Sequence, residues 1–292
     1  MRLIERVANR LAYERRRRTI RSFHRLYYEA PWLTWKNTRW LSVNAYKSPL
    51  DLWIYQELIV SLRPQLVIET GTAFGGSAFF LATVCDALGV GEILSIDIEN
   101  RDGRPAHDRI TYLTASSTAP ETLAVVAERA KGKAPVLVIL DSDHSYEHVL
   151  AELRRYADLV TPGSYLVVED TNLNGHPVLP NFGPGPMEAV QAFLQERAEF
   201  EPDAEQEKFL LSFNPSGYLR RRSTGQVARS KANRSTQAHA GRAREKGRSR
   251  SLPRIAAAAA VVFLFLVGLP EILGDRPYDP KPSAWPELAE RV

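Results

Sequence analysis

The sequence is poor in the residue that builds disulfide frameworks. It contains a single cysteine, Cys85, among 292 residues. One cysteine excludes an internal disulfide, and its apolar neighbours in a predicted helix indicate a buried thiol in a reducing compartment. The N-terminus also lacks an apolar segment of about 7 to 15 residues followed by a small-residue cleavage site, so we expect no signal peptide and a cytoplasmic protein.

The sequence also lacks an even spread of positive charge. Its net charge is +4, but Ser223 to Arg254 carries nine lysines and arginines against one acid, which leaves the rest of the chain at about −4. Positive charge confined to one segment does not mark a nucleic-acid-binding surface on the remaining chain. Nucleic acid is therefore not the expected partner.

Composition divides the chain into segments. Leu3, Val7 and Leu11 recur at helical spacing before the block Arg15 to Arg18, which predicts a basic amphipathic helix over Met1–Tyr28. A solvated helix face and a membrane-surface contact both fit this helix, and the first is favoured. The predicted segments are a helical and aromatic arm at 1–50, a globular domain at 51–222, a basic disordered linker at 223–254, a possible transmembrane helix at 255–273 and a short tail at 274–292.

The longest apolar run, Ile255–Leu269, is short for a membrane span. Its 15 residues reach about 22 Å as a helix, against about 30 Å of hydrocarbon. Extension to Leu273 gives a marginal span, but only by including Pro270 and Glu271. A single-pass anchor is favoured over an interfacial or buried helix, and the basic flank before Ile255–Leu273 would then keep the catalytic domain on the cytoplasmic face of the plasma membrane.

Strand and helix patterns alternate between these two ends of the chain. Strands are predicted at 65–69, 92–97, 110–113, 136–141, 164–169 and 207–213, and helices at 51–62, 75–88, 118–131, 146–159 and 186–198. This alternation predicts an α/β fold with right-handed crossovers and a doubly wound, mainly parallel sheet. Asn174–Pro186 is too rich in glycine and proline for either element and is predicted as a long loop beside the site.

Four of the predicted strands end in acidic residues. The segment LVIETGTAFGGS is an apolar run that ends at Glu69 and breaks into a glycine-rich turn. Later runs end at Asp97, at Asp141 with Asp143, and at Glu169 with Asp170. Ligands of open α/β sheets bind outside the carboxyl ends of the strands, so we expect these acids to face one crevice.

The glycine-rich turn favours a nucleoside over a dinucleotide. It lacks the G-x-G-x-x-G pattern that seats a pyrophosphate. An acid at the end of the second strand suits a ribose, because Asp97 can accept hydrogen bonds from both hydroxyls. The combination favours S-adenosylmethionine, with Glu69 and Gly71 near its methionine part and Ser77 at the helix start. Near the adenine we expect Ser116 or Ser117, although either is also a usual helix cap.

Three acids at neighbouring strand ends predict a Mg²⁺ site. Asp141, Glu169 and Asp170 would repel one another unless a cation offset their charge. Oxygen ligands without nearby cysteines suit Mg²⁺, which can act as a Lewis acid and align a substrate hydroxyl with the methyl group. Asp143 is an alternative first ligand, and Asp143 and Asp170 also fit simple roles as cap and loop acids.

Two histidines are candidate general bases. His144 follows the acids and can take the proton of a substrate hydroxyl, since imidazole titrates near neutrality. It joins Asp141 as a catalytic candidate, although a structural role at a helix start fits it equally. His176, in the long loop, is a further candidate.

Four segments lie in a fixed order within about residues 38–220: ETGTAFGGS, ILDSDHSY, PGSYLVVEDTN and NGHPVLPNFGPGP. Together they resemble the cephalosporin-hydroxylase-type methyltransferase family, which includes rhamnosyl O-methyltransferases. The resemblance implies a class I S-adenosylmethionine-dependent O-methyltransferase with a Mg²⁺ site and a sugar, glycolipid or natural-product hydroxyl as acceptor. It implies metal ligands at Asp141, Glu169 and Asp170, and a donor site at Glu69, Gly71 and Asp97. It covers neither the basic linker nor the apolar C-terminal segment.

Two other functions fit less well. An Fe(II)-dependent oxygenase, which the family name suggests, needs two histidines and a carboxylate, and only His144 lies close to the acids in sequence. A membrane-tethered binding module without catalysis would have no reason to gather uncompensated carboxylates. The acceptor and the oligomeric state stay open, and a homo-oligomer is compatible with the sequence.

Overall fold

The structure is a computed structural model that describes residues 2–223. The predicted apolar helix at 255–273, the tail at 274–292 and all but the first residue of the predicted linker lie outside the described residues. Within residues 2–223, every helix is too short or too polar to cross a bilayer.

Helices and strands alternate along the described chain after an N-terminal helix. The α-helices are α1 Arg2–Glu29, α2 Pro49–Leu62, α3 Gly76–Leu88, α4 Pro120–Ala130, α5 Tyr146–Tyr156 and α6 Pro186–Glu196. The strands are β1 Arg39–Trp40, β2 Val43–Asn44, β3 Leu66–Thr70, β4 Glu92–Asp97, β5 Ile110–Thr114, β6 Val136–Leu140, β7 Tyr165–Val168, β8 Phe200–Pro202 and β9 Tyr218–Arg221.

Seven strands form one sheet, in the order β5-β4-β3-β6-β7-β9-β8. The first five are mutually parallel, whereas β9 runs antiparallel to both of its neighbours. Strand order reverses at β3, because β4 and β5 extend the sheet on one side and β6 and β7 on the other. The carboxyl ends of β3 and β6 therefore flank the crevice where such sheets bind ligands. The predicted doubly wound, mainly parallel sheet is confirmed.

The sheet separates two apolar clusters. Every residue of β3 and β6 is buried, because helices cover both faces. Leu66 and Ile68 pack with α4, α5 and α6, whereas Val67 packs with α2 and α3 on the opposite face. Cys85 is fully buried in this second cluster, as predicted, and burial raises the pKa of its thiol to about 11.

Helix α2 begins two residues before the predicted position. Ser48 is its N-cap and accepts a hydrogen bond from the Leu50 N–H at 3.3 Å, with Pro49 in the first turn. Asp51, predicted to open this helix, is buried and accepts hydrogen bonds from the Ser212 hydroxyl at 2.6 Å and the Phe213 N–H at 2.9 Å. Its carboxylate therefore joins α2 to a distant segment.

The predicted strand at 207–213 is wrong. The structure has a 3₁₀ helix over Ala204–Glu207 followed by a turn, and the late strands are β8 and β9. The alternation of Phe209, Leu211 and Phe213 imitates a strand, but Leu210 has a φ of +71° and the following residues bind Asp51. Ser212 and Phe213 therefore form hydrogen bonds with the buried Asp51 carboxylate instead of with a neighbouring strand.

Candidate active site

The glycine-rich turn after β3 packs directly against the end of β6. Gly71 has a φ of +86°, and a Cβ there would lie 1.8 Å from the carbonyl oxygen of Asp141. Gly75 has a φ of +79° and is the N-cap residue of α3. Glycine adopts these angles without strain and leaves room for the close approach. The turn thus brings the ends of two central strands into backbone contact at the point where strand order reverses.

A pocket opens at this edge of the sheet. Its walls include Gly71, Asp97, Ser116, Ser117 and Asp141. The first four are predicted donor-binding residues, and the fifth is a predicted metal ligand. Asp141 therefore lines the same pocket as four predicted donor-binding residues, so the two predicted sites adjoin.

The carboxylate of Asp97 is held in a fixed position on the pocket wall. Its Oδ2 accepts hydrogen bonds from the Ala73 N–H at 2.8 Å and from Arg104 Nη2 at 3.1 Å, and its Oδ1 accepts one from the Glu99 N–H at 2.9 Å. A carboxylate offers about four lone-pair positions, so acceptor capacity remains for a ligand hydroxyl. Arg104 is a site residue that the sequence did not reveal, because nothing in its spacing ties it to Asp97.

Glu69 and Ser77, also predicted near the donor, are buried and are not among the residues that line the pocket. Glu69 Oε2 accepts a hydrogen bond from the Ser95 hydroxyl at 2.6 Å, whereas Oε1 is buried without a hydrogen-bond partner among the described residues. Burial raises the pKa of Glu69, and the charge of Lys47 opposes that rise. A buried, unpaired carboxylate oxygen at a strand end is unusual and suits a ligand or water.

Asp141, His144 and Asp170 form a cluster next to the pocket. One possible ligand atom from each lies within 4.8 Å of the others. His144 Nε2 lies 3.2 Å from Asp170 Oδ2. Asp143, the alternative ligand, is exposed and accepts a hydrogen bond from the Ser145 N–H at 2.7 Å, which is the contact of a cap. The chain therefore gathers two predicted metal ligands and the predicted base at one point.

Glu169, the third predicted ligand, is linked to the cluster through a buried lysine. Lys47 Nζ contacts the carboxylate of Asp141 and lies 2.5 Å from Glu169 Oε1. The Tyr55 hydroxyl also donates to Glu169 Oε1, at 2.7 Å. Sequence reasoning missed Lys47, because a lone lysine before a helix carries no periodic or motif signal.

Crowding and burial raise the pKa of all three predicted ligands. Burial is the main cause for Asp141, Glu169 and Asp170, and each is raised further by a neighbouring carboxylate. Burial opposes the charge on Lys47, yet Asp141, Glu169 and Glu69 together raise its pKa above the ordinary value. Three carboxylates beside one ammonium leave negative charge to be balanced. Hard oxygen donors in this arrangement fit Mg²⁺.

A buried hydrogen-bond network supports Glu169 from behind. Asp51 Oδ1 accepts from the Tyr218 hydroxyl at 2.9 Å, and Asn214 Nδ2 donates to the Tyr55 hydroxyl at 3.1 Å. Burial raises the pKa of Asp51 to about 6, against the effect of its hydrogen bonds. Tyr55 and Asn214 also escaped sequence reasoning, since their partners lie far away along the chain.

A second polar cluster lies at the serine end of the pocket. His148 Nε2 lies 3.2 Å from Ser117 Oγ and 3.0 Å from Ser142 Oγ. The Ser142 hydroxyl donates to Glu152 Oε1 at 2.8 Å, and Glu152 is fully buried. His148 Nε2 also lies 3.5 Å from Glu152 Oε1, and this contact raises the pKa of His148. Ser117 is thus fixed by a histidine that sequence reasoning did not single out.

The predicted loop after β7 is a turn-rich segment, as expected, and it borders α6. His176 Nε2 lies 2.9 Å from Glu188 Oε1, and Asn174 Nδ2 donates to the same oxygen at 3.1 Å. Glu188 Oε2 also accepts a hydrogen bond from the Gly185 N–H at 2.8 Å, at the start of α6. His176 is therefore placed in a contact that fixes the loop, outside the cluster of Asp141, His144 and Asp170.

Comparison with known proteins gives one consistent family. Residues 33–222 match the family model described as rhamnosyl O-methyltransferase/CmcI. A rhamnosyl O-methyltransferase of Mycobacterium leprae is 44% identical over 207 residues, which cover 68% of this chain and 89% of the relative. The fold is similar to an apo structure of CmcI, with a TM-score of 0.52, 23% identity and coverage of 65% of this chain and 78% of that chain. A CmcI structure with Mg and SAM has a TM-score of 0.51 and 20% identity, with coverage of 64% and 78%.

Proposed function

Because the chain belongs to the rhamnosyl O-methyltransferase/CmcI family, it is an S-adenosylmethionine-dependent O-methyltransferase, and we propose that it methylates a hydroxyl of a rhamnose-type sugar with Mg²⁺ assistance. One observation carries this proposal. The donor-type pocket and the carboxylate cluster share Asp141, so a methyl donor bound in the pocket and an acceptor hydroxyl bound at the cluster would meet at one wall.

The pocket supports binding of S-adenosylmethionine. Asp97 is held by Ala73 and Arg104 and keeps acceptor capacity for a ribose hydroxyl. Ser117, fixed by His148, and Ser116 would bind the adenine end. Gly71 lines the pocket with its main chain. Glu69 and Ser77 are buried behind the turn and would support donor binding without lining the pocket. These assignments rest on position and chemistry.

The carboxylate cluster supports binding of Mg²⁺. Asp141 and Asp170 offer carboxylate oxygens that lie within 4.8 Å of each other, and Glu169 would complete the set beside Lys47. Bound Mg²⁺ lowers the pKa of a coordinated hydroxyl and supplies a Lewis acid. With Mg²⁺, three carboxylates and Lys47 would sum to zero formal charge, which would offset part of the desolvation cost of grouping them.

His144 is the proposed general base. Its imidazole contacts Asp170 at 3.2 Å, which orients the ring toward the cluster. The proton of the acceptor hydroxyl would pass to this imidazole as the oxygen takes the methyl group, the S–CH₃ bond breaks and S-adenosylhomocysteine leaves as a neutral thioether. Asp141, which borders both the pocket and the cluster, would keep the acceptor hydroxyl aligned with the methyl group of the donor.

The test is transfer of a labelled methyl group from S-adenosylmethionine to a panel of acceptors. We expect transfer to rhamnosides, dependence on Mg²⁺ and loss of activity in excess EDTA. Activity that persists in EDTA would remove the metal from the proposal. Iron-dependent turnover of 2-oxoglutarate without use of the methyl donor would support an oxygenase instead. Asp97→Ala and Glu169→Gln test the donor and metal assignments separately.

The sequence alone supports one further proposal, that Ile255–Leu273 and its basic flank anchor the enzyme to a membrane. This segment lies outside the described residues. Carbonate extraction of membranes that contain the full chain tests it. Retention in the membrane fraction would indicate an integral anchor, and release would indicate a peripheral or buried segment.

A further inference from the structure

Helix α1 is attached to the rest of the described chain through its C-terminal end. Asn172 Nδ2 donates to His24 Nε2 at 3.0 Å, and Arg25 Nε donates to the Pro177 carbonyl oxygen at 3.0 Å. The His24 and Tyr28 rings pack on Phe213, at centroid distances of 5.8 and 5.3 Å. From Glu5 to Phe23, by contrast, every side chain is exposed except two that are half-buried. About five turns of helix therefore present their surface to solvent.

From Glu5 to Arg25 at its attached end, α1 carries a large positive charge that no acid of the described residues pairs with. Residues 5–25 contain eight arginines and two glutamates, a formal charge of +6. Within residues 2–223, none of these eight arginines forms an ion pair with a carboxylate. Elsewhere in the described chain, Arg104, Arg109 and Arg154 each pair with an acid. Several other arginines of the described chain, such as Arg63 and Arg155, bond only to carbonyl oxygens, but the unpaired arginines on α1 are concentrated on one exposed helix and are available to an external partner.

Large apolar side chains accompany these arginines. Val7 and Leu11 are 52% and 66% exposed and lie one turn apart on the same helix face. Trp32 and Leu33, just beyond the helix, are 67% and 62% exposed. Isolated exposed apolar residues are ordinary, but a run of them on a basic helix is typical of interfacial segments.

We propose that α1, together with Trp32 and Leu33, binds a bilayer surface that carries anionic lipid headgroups. Arginines would contact the headgroups, and Val7, Leu11 and Trp32 would enter the interface between headgroup and acyl chain. A nucleic acid would satisfy the arginines but not the apolar residues. A second copy of the chain would bring two α1 helices, each with a charge of +6, against each other, and they would repel. An anionic bilayer is the partner that meets both the charge and the apolar surface.

The attachment of α1 places the bound surface near the active site. Arg25 contacts the loop that contains His176, and Tyr28 lies close enough to Asp170 and Asp141 for their charges to act on it. A membrane-bound α1 would hold this rim of the site near the headgroups. This inference concerns the surface of α1 and does not depend on the acceptor proposed above.

A local fluorescence measurement tests the proposal on the full chain. Cys85 is buried, so an environment-sensitive dye can be attached selectively at Val7→Cys. We expect a blue shift of the dye with phosphatidylglycerol vesicles, loss of that shift at high salt, and no shift with phosphatidylcholine vesicles. A dye at Lys131→Cys, an exposed position at the end of α4, is the control and is expected to remain unshifted.

A matched pair of arginine variants sharpens the result. Arg15→Gln with Arg16→Gln, on the Val7→Cys background, is expected to weaken the dye-reported vesicle affinity at least about 10-fold. Arg154→Gln with Arg155→Gln, which removes the same charge from α5, is expected to leave it unchanged. An unshifted Val7 dye on protein that still pellets with vesicles would overturn the proposal and assign binding to another segment. A shift with protein concentration alone, or with DNA but not with vesicles, would also overturn it.

Discussion

The carboxylate cluster and helix α1 handle charge in opposite ways. At the cluster, Lys47, whose side chain is 3% exposed, contacts Asp141 and Glu169, and a carboxylate oxygen of Asp170 lies within 4.8 Å of one of Asp141. On α1, eight arginines face solvent without acidic partners among residues 2–223. Buried charge must be balanced within the fold, because desolvation is not otherwise repaid. Exposed charge is screened by water and salt, so it costs the fold little and stays available for an external partner.

The largest expected effect is that of removing the buried ammonium. Lys47→Met leaves Asp141 and Glu169 without their counter-ion and is expected to lower the free energy of unfolding by about 3–5 kcal/mol in EDTA. Urea unfolding measures this loss, and Mg²⁺ is expected to restore part of it. Lys208→Met removes an exposed pair with Glu57 and should cost less than about 1 kcal/mol. Equal losses for the two variants would contradict the comparison.

A somewhat smaller effect is expected at the donor pocket. Asp97→Ala removes a fixed, charged acceptor and is expected to weaken S-adenosylmethionine binding by about 1.5–3 kcal/mol, which calorimetry measures. Asp102→Ala, an exposed acid in the following loop, is the control and should bind the donor normally. Unchanged affinity in Asp97→Ala would refute the ribose assignment.

The attachment of α1 is expected to depend on pH through His24. Burial lowers the pKa of His24 from 6.5 to about 4, so the folded state disfavours the charged ring. Its contribution to stability is complete above about pH 6.5 and is lost as the pH falls toward 4. At about pH 5 the loss is expected to be on the order of 2 kcal/mol. His24→Gln should remove that part of the pH dependence of unfolding, and an unchanged slope would show that His24 is not responsible.

The smallest expected effect is that of removing exposed arginines from α1. Arg15→Gln with Arg16→Gln should change the free energy of unfolding by less than about 0.5 kcal/mol, because these arginines have no acidic partner to lose among the described residues. Thermal or urea unfolding without lipid measures it. A loss of more than about 1 kcal/mol would reveal an internal role for the arginine block.

The fold was predictable because it depends on local patterns. Alternating apolar strands and helices determine a parallel sheet, and in a parallel sheet the ends of β4 and β6 must share an edge. Asp97 and Asp141 could therefore be assigned to one pocket from the sequence alone. The extra strand predicted at 207–213 failed for the converse reason, because its alternation is real but its hydrogen bonds go to Asp51.

The supporting residues of the site could not be read from the sequence. Lys47 lies 94 residues before Asp141, and Asn214 lies 159 residues after Tyr55. Such pairs are set by how helices and loops pack on the sheet, and no periodicity reports them. The roles assigned to Glu69, Ser116, Glu169 and His144 stay predictions, since they follow from position and residue type.

Because Gly71 has no side chain, its main chain packs directly against the end of β6 at Asp141. The main chain of this residue touches the Asp141 carbonyl group, so the interval between donor pocket and carboxylate cluster is set by backbone against backbone. Side chains elsewhere in the rim could then vary without moving a donor bound in the pocket relative to a metal ion bound at the cluster. Acceptor preference is accordingly expected to change through the N-terminal arm and the loop before α6, while the geometry of transfer stays constant.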